Sequence, residues 1–471
     1  MSDRPARRYA LIGTGGRSRM YIDALTSSHA DLGEIVAFLD PNEARMAYYD
    51  RYLAERDRTA PPHFGPESFE QMLSSTRPDV LIVTSKDSTH ADHIVAGLDH
   101  GLDVITEKPM TIDVPSLERI VRAAQASTGT LTVTFNYRYS PRNSEVRRLI
   151  AEGAIGTVTS VHFEWCLDTV HGADYFRRWH REKDSSGGLA VHKSTHHFDL
   201  VNWWLDDVPA TVFALGGLRF YGAENATARG LPPRPALGRD LVAAGDPFAL
   251  DLAADPQLKG LFLDAEHVDG YHRDQDVFGS GITIEDNLSV TVGYQGGAAM
   301  SYSLNAHSPW EGYRVAFNGT EGRLELDVVE RGAVSSERTT SGLGAGGKDR
   351  PVLDPSATEA ERTGQQLRPH GSRLILQRLW SQPEEVEIPE GAGSHGGGDV
   401  MLLDDVFRGP APDPLGRQAG YRDGVRSVLI GAAVNDSLAS ARAVHLADYG
   451  DLLHAAVLEA EPTDSPAGTG R

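Results

Sequence analysis

The first 135 residues alternate between short continuous apolar runs and segments of helical spacing. The apolar runs occupy residues 8–12, 34–39, 79–84, 103–106 and 130–135. Continuous apolar runs are typical of parallel strands that are buried on both faces, and the amphipathic segments between them can form crossover helices. The pattern therefore predicts a doubly wound α/β domain over residues 1–135, whose ligands bind at the carboxyl ends of the strands.

From residue 158 the pattern changes to successive strands in which apolar and polar positions alternate. These strands are predicted at residues 158–165, 211–217, 282–294, 298–304, 313–317 and 324–327. Strands without intervening helices indicate a large, mostly antiparallel sheet, so we expect a C-terminal α+β domain over residues 136–455. Two inserts interrupt it: residues 221–257, expected near the site, and residues 335–371, expected as a mobile surface loop. Residues 456–471 are expected to be a flexible tail.

Composition and charge narrow the classes of partner. The chain of 471 residues has a formal net charge of −21, which argues against nucleic acid or an anionic membrane surface as the main partner. The single cysteine, Cys166, excludes an internal disulfide. Because no run of about 18 apolar residues is present, we expect no membrane contact and a cytoplasmic protein.

A glycine-rich loop follows the first predicted strand directly. Its residues are Gly13, Thr14, Gly15, Gly16, Arg17 and Ser18, which match the dinucleotide fingerprint G-x-G-x-x-G with serine in the third glycine position. The first glycine permits the tight turn, and the second lets backbone amides approach a pyrophosphate. The loop therefore predicts a Rossmann domain that binds a dinucleotide.

Asp40 ends the second predicted strand, 27 residues after Gly13. A carboxylate at this position binds the ribose 2′-hydroxyl and repels a 2′-phosphate, which favours NAD over NADP. Asp40 could instead be a turn residue before Pro41. Arg17 could pair with a phosphate, lie over the adenine, or be a solvated loop charge.

A predicted helix follows Gly187 and Gly188, and it places His192, His196, Asp199 and Trp203 on one face. Such a face could bind a metal ion, carry out acid–base chemistry, or be a polar face satisfied by its neighbours. The metalloprotease pattern needs glutamate after the first histidine, and here Lys193 stands there. Because a cation opposes metal binding, we expect no metal site.

The sequence resembles the glucose–fructose oxidoreductase / inositol dehydrogenase (Gfo/Idh/MocA) family. The features that carry the resemblance are the glycine loop, Asp40, Glu107-Lys108-Pro109 at the end of the strand at 103–106, His90, the segment 136–141, and the helix with His196 and Asp199. Segments 427–437 and 443–446 resemble the closing helix and strand of that family. Glu-Lys-Pro together with the glycine loop is a specific signal.

The resemblance implies that Lys108 polarises the reacting hydroxyl or carbonyl and that His196 is the general acid/base. Family members often have an aspartate four residues before this histidine, and here that position is His192. His192 is therefore expected to donate to the substrate or to share a proton relay with His196. Lys108 could also be only a surface cation. The cofactor-binding residues expected from the resemblance and from the strand ends are Gly13, Thr14, Gly15, Gly16, Arg17, Asp40, Thr84, Ser85, His90, Glu107, Lys108, Asn136 and Arg138.

Candidate substrate contacts follow from position. The expected residues are Trp165, Lys193, Asp199, Tyr271 and His272. The cluster at 266–273 combines hydrogen-bonding and stacking groups that are typical of sugar recognition, and the loop 393–399 around His395 is another candidate. For each of these residues, a satisfied polar surface is the alternative interpretation.

These observations predict an NAD-dependent dehydrogenase that acts on a secondary hydroxyl of a sugar, glycoside or cyclitol, as a homo-oligomer (dimer or tetramer). One alternative is an NAD-dependent redox-cycling glycoside hydrolase or lyase, which would release an aglycone without net NADH. The other is a non-catalytic nucleotide-binding sensor of the same fold. A sensor needs neither Lys108 nor His196.

Overall fold

The computed structural model describes residues 6–334, 367–389, 398–409 and 412–458. The strands are β1 (Arg7–Ile12), β2 (Gly33–Leu39), β3 (His63–Phe64), β4 (Val80–Val83), β5 (Asp103–Thr106), β6 (Leu131–Val133), β7 (Val158–Asp168), β8 (Pro209–Gly217), β9 (Asn287–Tyr294), β10 (Ala299–Ser308), β11 (Glu311–Gly319), β12 (Gly322–Arg331), β13 (Gly371–Arg378), β14 (Glu384–Val386), β15 (Ala419–Gly420) and β16 (Val444–His445). The α-helices are α1 (Ser18–Thr26), α2 (Glu43–Ala54), α3 (Phe69–Thr76), α4 (His90–Asp99), α5 (Val114–Ala126), α6 (Pro141–Ala151), α7 (His171–Arg177), α8 (Lys183–Ser186), α9 (Leu189–His192), α10 (Thr195–Leu205), α11 (Ala223–Ala228), α12 (Pro256–Leu261), α13 (Glu266–Asp269), α14 (Gly398–Arg408), α15 (Tyr421–Ser440) and α16 (Asp451–Leu458).

The first sheet has the strand order β15-β6-β5-β4-β1-β2-β3. The pairs from β6 to β3 are parallel, whereas β15 adds an antiparallel edge beside β6. The predicted doubly wound parallel sheet is confirmed. β15 belongs to the second half of the chain, so that half completes the edge of the first sheet.

The sequence explains the elements that carry this sheet. Residues 80–83, Val-Leu-Ile-Val, form β4 and are fully buried, as a central parallel strand covered on both faces requires. α5 has Pro115 in its first turn, where a missing amide hydrogen costs no helical hydrogen bond. The Asp113 carboxylate accepts a hydrogen bond from Ser116 N at 2.8 Å and caps this helix.

The second sheet has the strand order β14-β13-β12-β11-β7-β10-β9-β8-β16. Its pairs are antiparallel except that β7 and β10 run parallel, so the predicted mostly antiparallel sheet is confirmed. β9 begins at Asn287 rather than at residue 282. The reason is that the Asp286 carboxylate accepts hydrogen bonds from the backbone amides of residues 219–221, which holds the preceding segment in a loop.

The helix predicted after Gly188 is interrupted. α9 ends at His192 and α10 begins at Thr195, with a turn at residues 193–194 between them. Ser194 N donates to Leu189 O, five residues back, at 2.9 Å, so the regular helical ladder is broken at this point. The prediction of one continuous helical face is therefore wrong for His192, which lies on a separate short helix from His196.

Of four predicted segments, one lies within the described residues and three lie partly outside them. The insert at 221–257 contains α11 and 3-10 turns at Gly238–Ala244 and Leu252–Ala254. Residues 335–366 of the second insert, residues 393–397 of the loop around His395, and residues 459–471 of the tail lie outside the described residues. Within the described ranges, no helix has the length and apolar character needed to cross a membrane.

Candidate active site

A cavity of about 1070 Å³ runs along the carboxyl ends of β1, β2, β4 and β5 and continues to α7, α9 and α10. We call the part around Asp40, Arg45 and Tyr271 the β2 end, and the part around Lys108 and Tyr175 the α7 end. The predicted site residues on its wall are Gly13, Gly15, Gly16, Arg17, Asp40, Thr84, Ser85, His90, Glu107, Lys108, Asn136, His192, Lys193, His196 and Tyr271. The fold therefore brings together residues that lie far apart in the sequence.

The glycine loop has the shape that a dinucleotide requires. Gly13 has φ +89°, and a Cβ there would lie 2.5 Å from Ser85 Cα, so only glycine fits. A Cβ on Gly15 would meet no heavy atom within 4 Å, which leaves room for a ligand to approach the backbone. Ser18 is fully buried, and its hydroxyl donates to Gly15 O at 2.8 Å, so serine replaces the third glycine without crowding. The loop fits a pyrophosphate at the start of α1.

Asp40 holds the loop and also lines the cavity. Its carboxylate oxygens accept hydrogen bonds from Thr14 N at 2.6 Å and from Asn42 N at 2.7 Å. Arg45 Nη1 lies 3.8 Å from the same carboxylate. Thr14 is fully buried behind the loop. The contacts show the turn role of Asp40, and its place on the cavity wall is compatible with the ribose role as well.

Lys108 and His192 meet at the α7 end, where the two halves of the chain come together. Lys108 follows β5, and its Nζ donates to the backbone oxygen of His192 at 3.2 Å. His192 Nδ1 lies 2.5 Å from an oxygen of Asp87, in the turn that follows β4. Nearby, Glu107 accepts from Arg17 Nε at 2.7 Å. The ring of His90 lies 2.8 Å from Pro109 O, which fixes the segment that carries Lys108.

Burial and neighbouring cations govern the protonation of this pair. Burial lowers the pKa of His192 well below its usual value, and Lys108 and Arg178 lower it further. Burial also raises the pKa of Asp87, against the opposing pull of Lys108. We therefore expect an uncharged His192 at neutral pH, held in orientation by Asp87 and able to take up a proton.

His196 lies beside Tyr137 on the cavity wall. Its ring stacks on that of Tyr137 with centroids 4.5 Å apart. The Tyr137 hydroxyl accepts a hydrogen bond from Lys193 Nζ at 3.2 Å, and the Lys193 ammonium lies 4.9 Å from the Trp165 ring centroid. Asn136, another predicted site residue on the wall, donates from its Nδ2 to Asp399 at 2.7 Å.

The remaining predicted contacts do not reach the described cavity wall. Asp199 pairs with Arg138 at 2.5 Å, and both are almost fully buried, so the expected substrate and cofactor roles of these residues are corrected to a structural ion pair. Trp165 lies behind the wall, stacked on His197 at 3.9 Å. His272 is half exposed beside Glu266.

The cluster at 266–273 and the first insert also differ from expectation. Tyr271 lines the β2 end, with its ring centroid 5.5 Å from the guanidinium of Arg45, rather than the α7 end near Lys108. The insert at 221–257 contributes no residue to the described cavity wall; the wall takes Phe262 and Arg273 from the segment after it.

Sequence reasoning missed Asp87, His171 and Tyr175 as site residues. Asp87 stands just after the predicted strand 79–84, so its position at a strand end was a usable signal. His171 and Tyr175 are four residues apart and share a face of α7, but nothing in the sequence shows which face meets the cavity.

Comparison with known proteins identifies the same family that the sequence resembles. The profile of the oxidoreductase family's NAD-binding Rossmann fold matches residues 7–135, and that of its C-terminal alpha/beta domain matches residues 147–446. The YteT protein of Bacillus subtilis (strain 168) is 34% identical over 437 residues, which cover 90% of this chain and 94% of that protein. The chain belongs to the Gfo/Idh/MocA oxidoreductase family.

Two further similarities extend this result. Inositol 2-dehydrogenase 3 of Saccharopolyspora erythraea is 31% identical over 201 residues, which cover 42% of this chain and 54% of that protein. The structure of the WlbA dehydrogenase from Bordetella pertussis, in complex with NADH and UDP-GlcNAcA, has a TM-score of 0.60 and 16% identity, and the match covers 94% of this chain and 99% of that one. The second similarity shows the shared fold.

Proposed function

We propose that the protein is an NAD-dependent dehydrogenase that oxidises a secondary hydroxyl of a sugar, glycoside or cyclitol. The observation that carries the proposal is a single cavity that joins the glycine loop to Lys108, His192 and His196. Oxidation of an alcohol needs a hydride acceptor, a base for the hydroxyl proton and a cation for the developing negative charge. In this cavity the glycine loop would hold the hydride acceptor, His196 is suited to act as the base, and Lys108 supplies the cation.

The roles of the residues follow from their chemistry. Gly13, Gly15 and Asp40 would hold the cofactor, which supplies the hydride acceptor when bound. The Lys108 ammonium stabilises negative charge on the substrate oxygen as its proton leaves. His196 accepts that proton, and His192, oriented by Asp87, assists.

The preference for NAD is supported by the carboxylate of Asp40 on the cavity wall. A 2′-phosphate in that place would meet the carboxylate, whereas a 2′-hydroxyl could donate to it. A polyhydroxylated substrate is supported by the relatives, since one is named an inositol dehydrogenase and one structure holds a nucleotide sugar.

The test is NADH formation by the purified protein with NAD or NADP and a panel of sugars, glycosides and inositols. We expect NADH with at least one substrate class. Lys108→Ala and His196→Ala should each lower kcat about 100-fold or more, with NADH binding retained, because each removes a group that acts on the reacting hydroxyl. Lys259→Ala, at an exposed lysine, is the control for the loss of one charge.

Unchanged turnover in either active-site variant would refute the assigned roles. Release of an aglycone without net NADH would instead identify a redox-cycling hydrolase or lyase. Cofactor binding without either reaction would identify a sensor.

A further inference from the structure

The cavity wall differs in charge from the chain as a whole. The chain has 45 lysine and arginine residues against 66 aspartate and glutamate residues. On the described cavity wall, basic side chains slightly outnumber acidic ones. The local charge of a cleft, rather than the net charge of the molecule, decides which small ligands it attracts. The distribution of charge around the proposed reaction centre therefore bears on the class of substrate.

At the α7 end of the cavity, basic groups are accessible and carboxylates are buried. Lys86, Lys108 and Arg178 line the cavity and are partly exposed. Asp87 and Asp174 also line it but are only 3% and 4% exposed. Burial raises the pKa of the Asp87 carboxyl, and all three cations oppose that rise, so they lie around it. The accessible charge that a ligand meets at this end is positive.

Two guanidinium groups share the Asp174 carboxylate. Arg273 Nη1 lies 2.7 Å from Oδ1, and Arg273 Nη2 donates to Oδ2 at 3.0 Å. Arg178 Nη1 donates to Oδ2 at 3.2 Å. The side chain of Arg273 is 2% exposed, whereas that of Arg178 is 29% exposed. Because the buried Arg273 engages both oxygens of Asp174, the more exposed Arg178 adds positive charge to the wall.

Lys86 carries a charge that no described carboxylate offsets. Each carboxylate on the described cavity wall lies within 4.0 Å of a nitrogen of an arginine or a histidine. Lys86, by contrast, forms no ion pair with any residue that the structure describes. An anionic group of a ligand could form charge-assisted hydrogen bonds with it.

Trp179 connects these cations to the proposed reaction centre. Its partly exposed indole stacks on His180 with ring centroids 3.6 Å apart, and the His180 ring lies 4.1 Å from that of His192. Lys86 Nζ lies 6.0 Å from the Trp179 ring centroid. Lys86 follows β4, and Arg178 directly precedes Trp179 at the end of α7. The two halves of the chain thus place one cation each beside the reaction centre.

We propose that the substrate is an acidic sugar, whose carboxylate or phosphate group binds to Lys86 and Arg178 beside the carbon that is oxidised. We call these two residues the anion-binding pair. The inference rests on the proposed function, since it names the substrate class of that reaction. A neutral sugar would leave the charge of the pair without a counterion, so the pair selects against it.

The test compares three forms of each hexose of the panel as substrates for NADH formation: the hexuronate, its methyl ester and the hexose 6-phosphate. We expect kcat/KM for one of the two anionic forms to exceed that for the ester about 10- to 100-fold, because hydrogen bonds to charged groups are stronger than those to neutral groups. Preference for the hexuronate identifies a carboxylate as the bound group. Preference for the 6-phosphate identifies a phosphate.

The pair has its own variants. Lys86→Gln and Arg178→Gln each remove one charge and should reduce the preference for the anionic form about 10-fold, while the affinity for NADH stays unchanged. Lys86→Arg and Arg178→Lys keep the charge and should keep most of the preference. Reduced NADH affinity in Lys86→Gln, with the preference unchanged, would assign Lys86 to the cofactor phosphates and contradict the inference.

Lys259→Gln and Arg378→Gln are the matched controls for loss of a lysine or an arginine charge. Each residue is about half exposed and lies 2.7 Å from a carboxylate, that of Asp264 and that of Glu384, respectively. Neither residue belongs to the described cavity wall. Both variants should keep the wild-type preference for the anionic form.

Two results with the wild type would overturn the inference, and they are distinguishable. If the methyl esters are oxidised as well as both anionic forms, the substrate is not selected by its charge, while the proposed function stands. If no NADH forms with any sugar, acidic or neutral, the proposed function fails, and the inference fails with it.

Discussion

At the residue scale, the carboxylate beside His192 comes from an unexpected part of the chain. The family pattern often has an aspartate four residues before the histidine, and this chain has His192 there. The structure places Asp87, from the first sheet, 2.5 Å from His192 Nδ1. The first domain thus supplies a carboxylate, and Asp87 and His192 both line the cavity.

Asp87→Asn should lower kcat/KM for oxidation about 10-fold or more. An asparagine can donate to His192 Nδ1, which would place the imidazole hydrogen on Nε2 and remove its ability to take up a proton. The measurement is steady-state NADH formation, together with NADH affinity, which should be unchanged. Asp99→Asn makes the same charge change at the exposed end of α4 and should have no effect.

The same variant has a defined pH dependence. Because burial and Lys108 lower the pKa of His192, it remains uncharged through neutral pH and is protonated only below its usual value of 6.5. Asparagine cannot ionise, so it offers a protonated His192 no countercharge, and the imidazolium is disfavoured further. The acid limb of kcat/KM should therefore move to lower pH in Asp87→Asn, and a shift to higher pH would contradict the pairing.

Asp40→Ser should reduce the preference for NAD over NADP about 10-fold. The serine removes the charge that would repel a 2′-phosphate, and Arg45, 3.8 Å from the carboxylate, remains to attract one. The ratio of kcat/KM values for NAD and NADP measures this change. An unchanged ratio, with cofactor binding intact, would leave Asp40 with only its turn role.

At the scale of elements, the segment 256–273 of the second domain closes over the β2 end of the cavity. Asn42 Nδ2 donates to Ala265 O at 3.0 Å, and Arg45 Nη2 lies 2.8 Å from Asp269. Tyr48 of α2 packs against Gly260, where an added Cβ would lie 2.6 Å from its ring. The segment lies over the place where the Rossmann pattern puts the adenosine of the cofactor, so it is suited to slow cofactor exchange.

Asp269→Ala should raise the rate of NADH release about fivefold, because a partly exposed ion pair is worth up to about 1 kcal/mol. Stopped-flow fluorescence of NADH measures this rate. The control is Asp264→Ala, which removes an exposed ion pair with Lys259 in the same segment and should leave the rate unchanged. Equal rates in both variants would mean that the Arg45–Asp269 contact does not hold the segment closed.

At the scale of the whole molecule, the two sheets are joined by a buried ion pair and a shared edge. Arg138 pairs with Asp199 of α10 at 2.5 Å and with Asp423 of α15 at 3.1 Å. β15, directly before α15, pairs with β6 of the first sheet. Phe213 and Leu215 are exposed apolar residues on the second sheet. Such residues are compatible with an interface between copies of the chain, but the homo-oligomer stays a prediction.

Asp199→Asn should lower the free energy of unfolding by about 3 kcal/mol, since it leaves the buried Arg138 guanidinium with one carboxylate fewer. Urea denaturation followed by circular dichroism measures this change. Glu384→Ala, which removes the exposed partner of Arg378, should cost less than about 0.5 kcal/mol. If Asp199→Asn changed neither turnover nor the free energy of unfolding, the Arg138–Asp199 pair would not join the domains as described.

The sequence by itself determined the elements of the first domain and its cofactor loop. These features depend on local chemistry: two-sided burial produces continuous apolar runs, and the turn before α1 accepts only glycine at Gly13. The sequence also pointed to Lys108 and His196 through the short motifs that carry them, and both line the cavity; their catalytic roles stay a proposal.

The tertiary structure decided which polar groups meet. Asp87 and His192 are 105 residues apart. Tyr175 and His171 lie on α7, and His171 contacts Glu311 of β11 in the second sheet. Asp199 and Arg138 were placed in the site from the sequence, yet the packing of α10 turns them towards each other and away from the cavity. A residue pattern records which side chains are available, whereas long-range packing decides whether a carboxylate faces substrate or a buried cation.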